Sequence, residues 1–386
     1  MKLPLKYNVR SLTQRPLRSL LTLAGVGLSV FLSVMMLGLS RGLVASTIAT
    51  GEELNVLALS KGAESIEFSA LDPAALHILS SATGLREYNG QPLACPEVTI
   101  NSLVSVSGMQ RESFPVLVRG VREELGWAVH PQVSLAEGRE PQRGYEIAVG
   151  PLVATRLGMP QDRLAIGEAL EFEGQRWEIV GHLSAPGTAF EAEIWTQVDD
   201  LLVASKRDDY SSLVLAAVDM QAREDLLFDL KTRTDVRSEV HVESEYYAAG
   251  TQQMKPVQAV ALLMTLLLIA GGLMSGMNTM FNSVMGRTRE MAVLQVLGYQ
   301  RKAILASFVL ESVLLCLAGG VIGCVAGMGL NGLPMKFSMG AFRFLIDGTT
   351  LGTGIFLALL IGLLGAAAPV LRVARLKTVE GLRLQA

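Results

Sequence analysis

Cysteine is scarce. Of the three in 386 residues, Cys95 alone lies outside the long apolar stretches, so the segment that holds it has no partner for an internal disulfide. It reads as a partly buried free thiol, while Cys316 and Cys324 read as small apolar packing residues. Histidine is as sparse: His77, His130, His182 and His241 stand far apart, without the paired spacing a zinc site needs. No G-x-S-x-G elbow occurs, and no G-x-x-x-x-G-K-[ST] loop to cradle phosphates. The acid pairs Asp199–Asp200 and Asp208–Asp209 read as solvated surface. Nothing here supports catalysis, and any ATP that drives the protein must bind a separate chain.

Charge is missing from four long stretches. Ser19–Ser40 is 22 residues without a charge, between Arg18 and Arg41. At about 1.5 Å per residue, such a helix crosses a hydrocarbon core of roughly 30 Å. The second stretch lies between Lys255 and Arg287. The third lies between Lys302 and Lys336 and carries Glu311 alone, and the fourth runs from Gly348 to Leu371. Four such stretches exclude an ordinary soluble fold. The first is too long for a signal-peptide core, and the residues after it hold no A-x-A cleavage pattern, so it is expected to be retained.

The charges that remain are asymmetric. Residues 1–18, the loop 286–302 and the tail 372–386 hold 13 bases against two acids. By the positive-inside bias these face the cytoplasm, with both termini inside. The segment from Arg41 to Lys255 holds 18 bases and 32 acids, a net charge of −14, and lies outside. That balance argues against nucleic acid as a partner. The expected order is a basic amphipathic segment (1–18), span 1 (19–40), an outer domain (41–255), span 2 (256–285), a cytoplasmic loop (286–302), span 3 (303–335), a short outer loop (336–347), span 4 (348–371) and a tail (372–386).

The outer segment alternates or runs apolar at SLVSVSG, FPVLVRGV, EIAVG, ALEFEG, QRWEIVGHL and AEIWTQV, with glycine between, which predicts strands. Helical patches, DPAALHILSSATG and QAREDLLFDLKTR, flank them, and SSLVLAAVD, helix, SEVHVES reads as a β-α-β unit. The expected fold is therefore a membrane protein of four transmembrane α-helices with one large α+β extracytoplasmic domain on helical stalks.

Three features invite a role. In the 286–302 loop, Met291, Val293, Leu294, Val296 and Leu297 cluster before Gly298, a short helix with a glycine C-cap. It either turns the chain at the interface or fits a groove on a cytoplasmic partner. Gly319, Gly323 and Gly327 make a four-residue ladder on span 3, and Gly272 with Gly276 a step of one on span 2, suited to close helix packing or a dimer contact. Glu311 is an intramembrane carboxylate expected to pair with Arg301, Lys302 or a base of the N-terminal segment rather than to relay protons.

The run R-T-R-E-M-A-V-L-Q-V-L-G-Y-Q-R-K-A-I (Arg287–Ile304) resembles the signature after the second span of ABC transporter permeases of the FtsX/MacB type. It departs from the pattern with Val296 in place of Ala and with Tyr299-Gln300. N-V-R-S-L-T-Q-R-P-L-R-S-L-L-T (Asn8–Thr22) resembles the family's entry into span 1. A-P-V-L-R-V-A-R-L-K-T-V-E-G-L-R (Ala368–Arg383) resembles its tail, with Thr378 where Pro is typical. V-R-G-V (Val118–Val121), A-E-G-R (Ala136–Arg139), E-I-A-V-G (Glu146–Gly150) and W-E-I-V-G (Trp177–Gly181) follow in the family's order.

The resemblance implies a MacB-like periplasmic domain and a bacterial inner-membrane location. It also implies a non-catalytic permease subunit whose partner ATPase holds ATP and magnesium. Arg287, Arg289, Glu290, Leu294, Leu297 and Gly298 become the expected ATPase-coupling determinants. A second permease chain, identical or related, is implied as partner, with a periplasmic adaptor or substrate protein and membrane lipids as further contacts. Movement of the outer domain would then extract or export a lipidic, lipoprotein or amphipathic substrate by mechanotransmission. The alternative is an FtsX-like scaffold that activates an outer-surface partner such as a cell-wall hydrolase without transport.

Overall fold

The computed structural model describes residues 16–106, 113–287, 293, 295–337 and 340–375; for 18, 253 and 373–375 it describes the backbone alone. The chain divides into two units, one built on the described residues up to Arg41, Pro256–Leu333 and those from Phe344 onward, the other on Gly42–Lys255 with Pro334–Arg343.

Apolar sequence of the right length becomes helix in the first unit. Its four long helices are span 1 (Pro16–Ile48), span 2 (Lys255–Met285), span 3 (Arg301–Met328) and span 4 (Gly348–Arg375). All four contain stretches long and apolar enough to cross a bilayer. Span 3 stops at Met328, short of the expected residue 335. Gly329 caps it, Gly332 adopts φ 76°, and Pro334 starts a strand, so the helix has no route onward. Span 4 starts after Asp347, whose Oδ1 accepts the Thr350 N–H at 2.8 Å and lies 2.7 Å from Arg41 Nη1.

The glycine ladder sets how closely these helices approach. A Cβ on Gly319 would sit 3.0 Å from the Leu23 carbonyl oxygen, one on Gly323 would run into the Gly27 carbonyl, and one on Gly327 would meet Val34 Cγ1 at 2.7 Å. The ladder on span 3 thus packs against span 1 of the same chain. On span 2, a Cβ on Gly272 would come within 3.1 Å of both Ser29 Oγ and Ile361 Cδ1, and one on Gly276 would meet Ile361 Cγ2 at 3.7 Å. Span 4 returns the arrangement: a Cβ on Gly362 would meet Val313 Cα at 2.9 Å. Small residues let backbones touch where lipid offers no hydrophobic drive.

The second unit is α+β. Its strands are β1 (Asn55–Ser60), β2 (Ala94–Val106), β3 (Phe114–Val121), β4 (Ser134–Gly138), β5 (Glu146–Val149), β6 (Ala169–Phe172), β7 (Gln175–Ser184), β8 (Glu193–Gln197), β9 (Ser212–Ala216) and β10 (Ser238–Val242). They form one sheet in the order β10-β1-β9-β2-β3-β8-β5-β7-β4, with β6 pairing β2 and β7. Its helices are α1 (Pro73–Ser80), α2 (Glu123–Val129), α3 (Val153–Leu157), α4 (Val198–Ser205), α5 (Met220–Thr232) and α6 (Glu243–Gly250).

In the first lobe, β1-α1-β2 and β9-α5-β10 are two interleaved split β-α-β units with antiparallel neighbours. Asp72 and Asp219 cap α1 and α5 through side-chain bonds to the N–H groups of Ala74 and Ala222. Strand β1 is buried on both faces. Val56 and Ala58 join Leu79, Leu213 and Leu226 under the helices, while Leu57 and Leu59 join Cys95, Phe190 and Trp195 on the opposite side. Cys95 is fully buried, and burial pushes its thiol well above the usual range. In the second lobe, Val118, Ile147, Ile179 and Ile194 pack with Trp177 and Leu201. A hairpin, β11 (Pro334–Phe337) with β12 (Gly340–Arg343), completes this unit.

Candidate functional site

Span 2 ends where its apolar run does, and the first charge after it turns inward. Arg287 is only 5% exposed, and its Nη1 donates to Glu311 Oε2 at 3.1 Å, joining the end of span 2 to the third turn of span 3. Arg287 thereby braces the root of the loop. Arg287 is thus a partner of Glu311 among the described residues, one that hydropathy and spacing did not single out. A carboxylate this buried is retained by such a pairing.

Past the brace, the loop turns outward. Val296 is 74% and Leu297 67% exposed, and Val293 is exposed as well. The Leu297 N–H donates to the Val293 carbonyl at 2.9 Å and that of Gly298 to Gln295 at 3.1 Å, so this is a short helical turn. Gly298 ends it at φ 90°, the left-handed conformation a C-cap glycine supplies. Tyr299 then folds back onto Met280, Val284, Ile304 and Phe308. Arg289, Glu290 and Leu294 lie outside the described residues.

The second unit holds a charged cluster that sequence patterning did not reveal. Glu97 (β2), Arg119 (β3), His130 (after α2), Glu193 (β8) and Glu243 (first residue of α6) are all buried. Arg119 Nη1 lies 2.6 Å from Glu97 Oε2, and its Nε and Nη2 engage Glu193 at 2.8 and 3.0 Å. The guanidinium also sits 5.1 Å from the Phe190 ring centre, and Nη2 reaches the Tyr247 hydroxyl at 3.5 Å. His130 Nε2 is 2.7 Å from Glu97 Oε1, and its Nδ1 is 3.7 Å from Glu243. Glu243 Oε2 in turn accepts from Asn55 Nδ2 at 2.8 Å and from the Glu52 N–H at 3.2 Å. The segment that follows span 1 and the helix that precedes span 2 are therefore fastened to the same ionic knot in the middle of the outer sheet.

Burial disfavours every ion in this knot, and the neighbours decide which ions survive. Burial opposes the His130 imidazolium, but Glu97 and Glu243 outweigh it and raise the pKa above 6.5. Burial likewise opposes the Glu97 carboxylate, yet His130 and Arg119 hold its pKa below 4.5. At Glu243 burial wins over His130 and Asn55, and the pKa rises. The signs fix a pH optimum. The His130 contribution is complete below about pH 6.5 and is lost as pH rises through its raised pKa, while the Glu243 penalty grows on the same side. The Glu97 contribution is present above about pH 4.5 and is lost on further acidification. The thermal midpoint of the outer domain is expected to peak at mildly acidic pH and to fall on both sides. Tryptophan fluorescence reads this cleanly, because Trp127, Trp177 and Trp195 all lie in that domain. A midpoint that rises steadily from pH 5 to 9 would rule out these protonation states.

A second fastening involves the β11–β12 hairpin. Arg343 Nε lies 3.1 Å from Glu191 Oε1, Arg156 Nη1 donates to the Gly340 carbonyl at 3.1 Å, and Lys336 Nζ sits 4.0 Å over the Phe114 ring. The connection between spans 3 and 4 is thus pinned to the second lobe of the outer unit. Asp199 of α4 pairs with the loop residue Arg143, and Asp209 with Arg207 two residues before it at 2.7 Å.

Sequence offered one signal for the central knot: a charge inside an otherwise apolar strand. Arg119 in FPVLVRGV and Glu193 in AEIWTQV break the pattern of their strands. Their pairing could not be read, because β3 and β8 meet as parallel neighbours far apart in sequence.

Comparison with known proteins agrees with this architecture. Residues 19–233 match the MacB-like periplasmic core domain, and residues 262–378 match the FtsX-like permease C-terminal domain. The ABC transporter permease YknZ of Bacillus subtilis is 23% identical over 99% of this chain and 98% of its own length. The macrolide export ATP-binding/permease protein MacB of Chlorobium luteolum is 37% identical over a shorter region, 28% of this chain and 16% of that protein. Among solved structures, the periplasmic region of MacB from Actinobacillus actinomycetemcomitans covers 55% of this chain and 97% of its own, at 11% identity and a TM-score of 0.38.

Proposed function

Because the chain belongs to the MacB-like periplasmic core family and is an ABC transporter permease of the MacB/FtsX type, we propose that it couples ATP hydrolysis by a separate cytoplasmic ATPase to movement of its outer domain. The observation that carries the proposal is the loop after span 2. Val293, Val296 and Leu297 stand exposed on a glycine-capped turn, while Arg287 and Glu311 brace its root. A partner groove would take the apolar residues for affinity, and Arg289 and Glu290 would set register.

From there the stroke would travel along spans 1 and 2 into the knot at Arg119 and His130, with spans 3 and 4 acting through the hairpin. ATP and magnesium would reside in the ATPase. A second permease chain would complete the transporter, and the substrate would be lipidic, a lipoprotein or an amphipathic compound that the outer domain extracts or exports, with or without an adaptor.

The test is affinity purification of the full chain from native membranes. Val296→Asp with Leu297→Asp changes two exposed side chains, so folding stability is expected to stay within about 0.5 kcal/mol. Recovery of an ABC ATPase should nevertheless fall at least tenfold, as it should for exchange of Arg289 and Glu290. Undiminished recovery would leave the loop as an interfacial turn and sink the proposal.

A further inference from the structure

The outer unit is acidic as a whole, yet it carries a basic groove at one edge of its sheet. Strand β10 ends the strand order and pairs with β1 alone. Beside it lies an open groove of about 930 Å³ lined by Lys61, Lys231, Arg233, Arg237, Glu239 and His241, among others. Arg233 is compensated by Asp235 at 2.9 Å, and His241 Nε2 lies 3.7 Å from Glu239. Lys61, Lys231 and Arg237 are exposed, and among the described residues no ion pair involves any of them. A net charge of −14 over this segment makes three uncompensated cations in one groove a local inversion of sign.

Two details narrow the ligand. The Lys61 N–H donates to the Arg237 carbonyl at 3.1 Å, extending the β1–β10 register by one step and setting two cations directly opposite each other. Like charges so placed repel, and an anion between them removes the repulsion. The same bond fixes the alternation of the antiparallel ladder: residues 237, 239 and 241 turn their backbone groups toward β1. Ser238 and Val240 therefore turn theirs to the open edge, where an added strand would find donors and acceptors. A free phosphate or a lipid headgroup would use the cations and ignore the edge.

We propose that this edge binds an extended acidic segment of a partner protein by strand addition to β10, with its carboxylates over Lys61, Lys231 and Arg237. The proposal does not depend on ATPase coupling, and its test uses no nucleotide. Purified full-length chain in a neutral detergent is titrated against a fluorescein-labelled peptide of alternating Glu and Val, read by anisotropy. Controls are a Lys-Val peptide, a peptide of equal charge with proline at every third position, inorganic phosphate and phosphatidylglycerol vesicles.

Saturable binding of the Glu-Val peptide is expected, weakened at least tenfold by Lys61→Glu with Arg237→Glu and weakened by added salt. Ser238→Pro should weaken it as well, because it removes an outward N–H and leaves the ladder to β1 intact. Unchanged tryptophan melting curves would show that the variants fold. Absence of binding, equal binding by the proline peptide, or full competition by phosphate or vesicles at matched charge would overturn the proposal.

Discussion

Replacement of Arg119 by Met is expected to destabilise the outer domain by about 3–5 kcal/mol, the usual cost of removing one partner of a buried ion pair. The effect is large because the loss is not symmetrical. Arg119 is 3% exposed and serves Glu97 and Glu193 together, and without it both carboxylates stay buried with fewer donors. His130 still faces Glu97 at 2.7 Å, and Trp195 Nε1 still donates to Glu193 at 3.1 Å, so the domain should remain folded at low temperature. For a domain of this size the midpoint should drop by roughly 10 °C or more, read by tryptophan fluorescence. A loss under about 1 kcal/mol would mean that the knot is hydrated and carries little of the domain's stability. Arg119→Lys should recover only part of the loss, because an ammonium cannot meet two carboxylates with the planar fork of a guanidinium.

The second large effect is expected at the root of the loop after span 2. Arg287→Met and Glu311→Gln should each destabilise the helical unit by several kcal/mol, since each removes one charge of a buried ion pair. The double variant should cost less than the sum, with a coupling energy above about 1 kcal/mol. Helix content against dodecyl sulfate concentration measures all four proteins. Strict additivity would show that the 3.1 Å contact contributes nothing. Arg287 lies outside the apolar turn that meets the proposed partner, so this cycle separates bracing of the loop from recognition by it.

The layout of the chain was legible because it rests on properties that act locally. Four apolar stretches with at most one charge each locate the spans, and each of the six apolar or alternating segments of the outer domain contains a strand or part of one among the described residues. The errors have local causes too. The end of span 3 was placed late because hydropathy does not register the turn that Gly329, Gly332 and Pro334 impose. Strand β1 escaped notice because a central strand buried on both faces shows no alternation, and β4 because its residues are mostly exposed.

The candidate site divides along the same line. Gly298 was readable as a cap, since a left-handed residue after a short apolar run has a known signature. The Arg287–Glu311 pair was half readable. A buried carboxylate demands a cation, but which one depends on how spans 2 and 3 return past each other. The knot around Arg119 was not readable, because four histidines and scattered acids acquire meaning only when β2, β3, β8 and α6 converge. The glycine ladder was recognised as a packing surface, and only the structure assigns it to span 1.

Under the proposed function, a push at the loop after span 2 moves the outer domain. Cys95, Cys316 and Cys324 are buried, so a single cysteine introduced at exposed Asp208 can carry a spin label. With the proposed assembly of two permease chains and an ATPase reconstituted in nanodiscs, the distance between the two labels is measured by pulsed electron resonance, without nucleotide and with ATP trapped. The distance distribution is expected to change on ATP binding in the native chain and to stay unchanged in the Val296→Asp, Leu297→Asp chain. An equal change in that variant, or a distribution that ATP leaves untouched in the native chain, would contradict that expectation.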